Sequence, residues 1–212
     1  IGVFGKMARN NYIYKGLKPV YWCPSCETAL AEAEIEYTDK KSDSIFVKFP
    51  VQDGKGILAE ENAFVVIWTT TPWTLPANLA IALHEEFNYA LVKEGEELWL
   101  VAEDMLENLR ATWEKELPVI KTFAGKELEG IVCKHPFIER DSLLILGDHV
   151  TLEAGTGCVH TAPGHGEEDF NVGKEYGLPV LCPVDHQGKF TDEGGKYVGM
   201  KVDKANSEII KD

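Results

Sequence analysis

Two stretches of the chain gather residue types that can do chemistry, and a third offers metal ligands. The first reads Trp68-Thr69-Thr70-Thr71-Pro72-Trp73-Thr74-Leu75-Pro76-Ala77-Asn78. Three consecutive threonines bring hydroxyls, each donor and acceptor, and backbone N–H groups to what reads as a strand end. Pro72 and Pro76 bar regular ladder pairing and stiffen the loop. Such a loop can bind a polar ligand or orient a water. The competing reading is a β-edge followed by a proline turn, because Thr is common in strands.

The second stretch, 155–170, holds four Gly, two His and three acids. Its glycines allow close backbone approach or positive φ. His160 falls in a strand-like run, His165 in a turn, and Asp169 in the first turn of a following helix. A carboxylate there is either a site group or a capping acid, a role for which Glu167 and Glu168 compete. His160, His165 and Asp169 are possible zinc ligands by type, but the helical His-Glu-x-x-His pattern is absent, which disfavours metal catalysis. Third, Cys23-Pro24-Ser25-Cys26 has the spacing of half a zinc knuckle, which Cys182 and His186 could complete. A redox role is disfavoured because no long helix follows; the plain alternative is a reduced turn.

The elements that must hold these groups read mostly as strands. Expected strands are 18–22, 31–37 (alternating small or apolar with charged), 44–51, the continuous apolar run 63–69, then 79–83, 88–93 and 97–102. Glu94-Gly95 makes the last two a hairpin. Helical spacing is confined to 103–116 and 166–176, with Pro118 and Gly177 as stop signals, and to the last residues from Ala205. The expected fold is mainly β: a β-barrel-like body with peripheral helices, in one domain over 1–212.

Composition narrows the class. Lys plus Arg is 21 against 35 for Asp plus Glu, a net charge of −14, with 44% hydrophobic residues in 212. That is globular, and it argues against a simple nucleic-acid-binding module. No apolar run approaches the ~20 residues that span a bilayer. Five cysteines without regular spacing make a poor disulfide framework and suit a reducing, cytoplasmic setting. The start at Ile1 and the helix-like end both read as cuts in a longer chain.

The stretches 68–78 and 155–170, with 18–26 and 29–37 before them, resemble the editing domains of isoleucyl-tRNA synthetases, in the family's order and over essentially the whole chain. Valyl and leucyl relatives carry Thr-Thr-Arg-Pro where this chain has Thr69-Thr70-Thr71-Pro72, and valyl ones place Lys near His160. The family's ATP-binding signatures, His-Ile-Gly-His and Lys-Met-Ser-Lys-Ser, are absent.

The resemblance implies a β-barrel-centred editing domain, with 1–40 and 180–212 as connecting strands toward a parent catalytic domain. It implies hydrolysis of valine misattached to tRNA(Ile), and pre-transfer hydrolysis of valyl-adenylate beside it. The alternative is an acceptor-end or analogue-binding module without turnover. One methylene in an apolar pocket is worth only ~1–3 kcal/mol, a magnitude for which isoleucine against valine is itself the standard illustration; a second sieve answers that limit. Carried over residue by residue, Asp169 would hold the α-ammonium and His160 would line the side-chain pocket. Thr69, Thr70 and Thr71 would contact the ester, ribose or water, Thr70 and Thr71 with Asp169 forming the catalytic set. Trp68 and Asn78 would support the adenosine and pocket wall. His165 is at most a supporting residue. Editing would need no cofactor; Cys23 and Cys26 would be half of a structural zinc site completed outside this chain. The partners implied are the valine-charged acceptor end of tRNA(Ile) and the rest of the synthetase, with no membrane and a monomeric state.

Overall fold

In the computed structural model, which describes residues 1–39, 41–58 and 62–212, apolar runs become paired strands. Strands β1 (Trp22–Cys23) and β2 (Thr28–Ala29) form a small antiparallel hairpin. The others are β3 (Ile45–Asp53), β4 (Ala63–Thr69), β5 (Ala80–Leu83), β6 (Asn88–Glu94), β7 (Glu97–Ala102), β8 (Val119–Ala124), β9 (Val132–Lys134), β10 (Asp141–Leu146) and β11 (Val159–Thr161). They join one sheet in the order β11-β5-β10-β9-β3-β4-β7-β6-β8. Helices α1 (Gly2–Arg9), α2 (Leu106–Trp113), α3 (Glu167–Glu175) and α4 (Val202–Ile209) lie outside it.

Strand β5 shows why the sheet positions the site. It is paired on both sides, parallel to β10 and antiparallel to β11, and all four of its residues are buried. Alternate side chains of a strand face opposite ways. Ile81 and Leu83 therefore enter the main core with Val65, Ile67, Leu75 and Leu100, while Ala80 and Ala82 enter a second cluster with Ile145, Val150 and Val172. Val172 belongs to α3, so the second cluster docks that helix on the sheet.

The mainly β class holds, and the barrel is corrected. The terminal strands β11 and β8 do not pair with each other, so the sheet stays open, although β11 packs across β4. Closure needs edge-to-edge hydrogen bonds, and β11 is three residues long and runs into Pro163.

Other expectations shift locally. The alternation at 31–37 gives a short 3₁₀ turn, Glu32–Glu34, and no strand, because alanine and glutamate supply no apolar face to bury. The expected strand 18–22 contributes only its end to β1. The helix expected to reach 116 stops at Trp113, where Glu114 turns left-handed at φ 54°. Strands β8, β9 and β10 and helix α1 were not expected. Residues 180–212 carry two isolated bridges, Val184–Phe190 and Lys189–Lys201, a 3₁₀ turn and α4. Lys40, the last residue of the expected connecting segment 1–40, lies outside the described residues.

Candidate functional site

The threonine loop leaves β4 and closes into a 3₁₀ turn, Pro72–Ala77, before β5. Pro72 suits the first turn position because its missing N–H would lack a partner there anyway. The turn's carbonyls are held from behind. His135 donates from Nε2 to Leu75 O at 2.8 Å, and Arg140 donates from Nη1 to Pro76 O at 2.7 Å and Asn78 O at 3.2 Å. The Trp73 N–H is held by Asn206 Oδ1 on α4 at 2.9 Å. Within the loop, Thr71 N–H donates to Thr69 Oγ1, and Thr74 Oγ1 donates to Thr71 O. Among the described residues, the hydroxyls of Thr70 and Thr71 hold no partner, and Thr70 is exposed.

His160 on β11 faces this turn, and its hydrogen bonds fix its tautomer. The Asn78 amide nitrogen donates to Ala80 O and also to His160 Nδ1, both at 2.8 Å. Nδ1 therefore accepts, and the ring proton sits on Nε2, which donates to Thr74 Oγ1 at 3.0 Å. Thr74 can accept because its own proton goes to Thr71 O. Burial, reinforced by His135 and His165, pushes the His160 imidazole down to about 3. The ring is neutral and has both nitrogens engaged. It forms a fixed wall and is not a free base.

The glycine segment is pinned beside it. Ala102 N–H bonds Thr156 O, and the buried Tyr89 hydroxyl donates to Gly157 O while accepting from His84 N–H. Gly155 and Gly157 take φ of +80° and +72°, and a Cβ at Gly157 would meet the Ala102 methyl at 2.4 Å. Asp169 sits in the first turn of α3, with Oδ2 accepting from Ala162 N–H at 2.9 Å. Burial pushes its carboxyl up from the usual range; the Ala162 bond and the His149 imidazole oppose that, and Glu168 adds to it.

These elements enclose a cleft of about 340 Å³ lined by Trp68, Thr69, Thr70, His149, Thr151, His160 and the segment 153–159. The structure thus brings four of the expected residues together. Asn78 is fully buried behind His160 and holds that ring instead of facing the cleft. Thr71 opens on the other side of the loop, into a second cleft of about 710 Å³ under α4, which Thr70 shares. Asp169 does not line the first cleft wall; it is tied to the turn at Ala162. His165 stands edge-on to Trp73 at 5.0 Å, and burial holds its imidazole down at about 4.

Two residues were missed. Thr74, the partner of His160, was legible in principle: a 3₁₀ turn stacks residue i+3 over i, here Thr74 over Thr71. His149 had no sequence signal, since only the fold brings it to the cleft.

Metal readings fare poorly. Among the described residues, no group of three or more His, Cys, Asp or Glu side chains could hold a metal ion. A site of His160, His165 and Asp169 is therefore withdrawn, consistent with both His160 nitrogens being engaged. The β1–β2 hairpin does bring two thiols together, Cys26 N–H meeting Cys23 Sγ at 3.4 Å, which lowers the Cys23 thiol. Cys182 and His186 do not complete that pair; His186 instead faces Glu27 at 3.2 Å. All five cysteines are free thiols. No helix among the described residues is long and apolar enough to cross a membrane.

Known proteins place this geometry. Isoleucine–tRNA ligase of Desulfitobacterium hafniense is 79% identical over 212 residues, and that of Moorella thermoacetica 58% over 213. Each match covers all of this chain and 23% of the relative, so the chain spans about a quarter of their length. Among solved structures, GlLeuRS-CP1 matches with a TM-score of 0.61 at 13% identity, covering 80% of this chain and 94% of that one. The P. knowlesi cytosolic leucyl-tRNA synthetase editing domain matches at 0.59 and 12%, covering 82% and 94%. At such identity these two carry the fold alone, and it is the mainly β fold expected. The model of the tRNA synthetases class I (I, L, M and V) matches residues 1–191. With that match and relatives of high identity across its whole length, the chain belongs to the class I tRNA synthetases (I, L, M and V).

Proposed function

We propose that this chain hydrolyses the ester of valine misattached to tRNA(Ile), as the second sieve of an isoleucine–tRNA ligase. The observation that carries the reading is the facing of the threonine loop and the neutral, doubly bonded His160 across one cleft. An aminoacyl ester is already activated, so a water held in line suffices. The Thr70 and Thr71 hydroxyls, without a partner among the described residues, are suited to hold that water or the ribose. Asp169 would take the α-ammonium by a charge-assisted bond. His160, unable to move, would exclude the extra methylene of isoleucine. Valyl-adenylate offers the same acyl group and would be cleaved at the same place. The reaction as proposed names no cofactor, and Cys23 with Cys26 remains half of a structural zinc site for residues outside this chain. The proposed setting is the cytoplasm, with the chain acting as a monomeric unit of the longer synthetase on the acceptor end of tRNA(Ile).

Incubating the chain with valyl- and isoleucyl-tRNA(Ile) tests this. Selective loss of valine, abolished by Asp169→Ala with the fold intact, is the expected result; full activity in that variant overturns the role of Asp169. The net charge of −14 favours a second reading, a binding module without turnover, because phosphate contacts need basic groups. Loss of neither amino acid would support that reading.

A further inference from the structure

The threonine turn takes its cap from another element. A helical turn leaves its first N–H groups without partners of its own, and the side chain just before it commonly accepts from one of them. Thr71 holds that place here, and its hydroxyl makes no such bond. Pro72 has no N–H to satisfy, and the Thr74 N–H already reaches Thr71 O at 3.1 Å. The Trp73 N–H is left over. Its acceptor is Asn206 Oδ1 at 2.9 Å, on α4 and 133 residues away.

Helix α4 is placed to hold that oxygen still. Ala205 and Ile209, four apart and so on one helix face, are 0% and 3% exposed and sit in the main core. Asn206 follows Ala205 and is half-buried beside the turn. Thr71, Trp73 and Asn206 line the same 710 Å³ cleft. A borrowed acceptor thus does what the Thr71 side chain would do, and the Thr71 hydroxyl keeps no partner among the described residues.

We propose that Asn206 is a positioning residue: it caps the threonine turn in place of Thr71 and so leaves the Thr71 hydroxyl for the water or ribose of the ester reaction. The inference rests on the ester-hydrolysis reading above and deepens it.

The test measures valyl-tRNA(Ile) hydrolysis and denaturant unfolding together. Asn206→Leu keeps the side chain's size and removes the acceptor, while Asn206→Asp keeps an oxygen in its place. In Asn206→Leu the Thr71 hydroxyl should turn back onto the Trp73 N–H, as a capping threonine does. The kcat should then fall roughly tenfold to a hundredfold with KM little changed, and Asn206→Asp should recover it. Thr71→Val should show the same loss, and Asn206→Leu should cost no further activity in that background. Stability should couple the other way. The unfolding midpoint should drop more in the double variant than in both singles together, because neither acceptor then remains. If Asn206→Leu keeps the full kcat, if Asn206→Asp loses as much as Asn206→Leu, if Thr71→Val stays fully active, or if the midpoint shifts simply add, the role of Asn206 is overturned while valine hydrolysis stands. If the wild-type chain clears neither amino acid from tRNA(Ile), the hydrolysis reading falls first and this inference with it.

Discussion

His160 acts as a wall because its two nitrogens are committed to Asn78 and Thr74. A ring so held cannot rotate to admit a larger side chain, which is what a size filter requires. His160→Ala should therefore let isoleucyl-tRNA(Ile) be hydrolysed, with discrimination against isoleucine falling roughly 10- to 100-fold, the worth of about one methylene. Deacylation rates of the two charged tRNAs measure it; unchanged discrimination would remove His160 from the filter. At this scale the sequence was informative where chemistry clusters locally. Thr69, Thr70, Trp68 and His160, which the family resemblance placed in one site, line one cleft. Asn78, expected to support the adenosine and the pocket wall, is buried, and its amide serves Ala80 O and His160 together. His149 lies outside both rich stretches, and nothing in the local pattern around it shows that β10 returns it beside β5.

Among elements, the joint between β6 and the glycine segment is the sensitive one. Tyr89 is fully buried and its hydroxyl serves two backbone partners, Gly157 O and His84 N–H. Tyr89→Phe keeps the ring and strands both groups, so stability should fall by about 1–3 kcal/mol. Denaturant unfolding measures the loss, and a midpoint unchanged within error would show that Gly157 is held by other means. The strongest strands were readable for a physical reason. The run 63–69 has enough apolar mass to be buried on both faces, and β4 has just those bounds. Strand β9 is three residues long and β8 shows four exposed residues in six, so neither carries a period to detect. The hairpin of β6 and β7 was legible from its Gly95 turn, which takes φ +58°.

The whole molecule should be sensitive to mild acid. His135 and His165 are held down at about 4 and His160 at about 3, chiefly by burial. The unfolded chain takes up these protons near 6.5 and the folded one does not. Their stabilising contribution is complete above about 6.5 and is lost as pH falls toward 4, by up to about 1.4 kcal/mol per pH unit for each group. The lowered carboxylates, such as Glu97, act only below their ordinary 4.5. A fall in Tm between pH 7 and 5 is therefore assigned to the histidines, and a flat Tm there would contradict their burial as neutral rings. The charge of −14 argues against a simple nucleic-acid-binding module, and the chain is about a quarter of the length of the tRNA synthetases it matches.

The bond from Trp73 N–H to Asn206 spans 133 residues of sequence. On a ribosome adding ~5–20 residues per second, the threonine loop is made on the order of ten seconds before its last anchor is synthesised. The site is thus finished from its far end: strands and turn can assemble early on the His135 and Arg140 bonds, but the loop that would face the ester gains its last brace only once α4 has emerged. A chain stalled before that point would carry every residue of the cleft and still lack the brace.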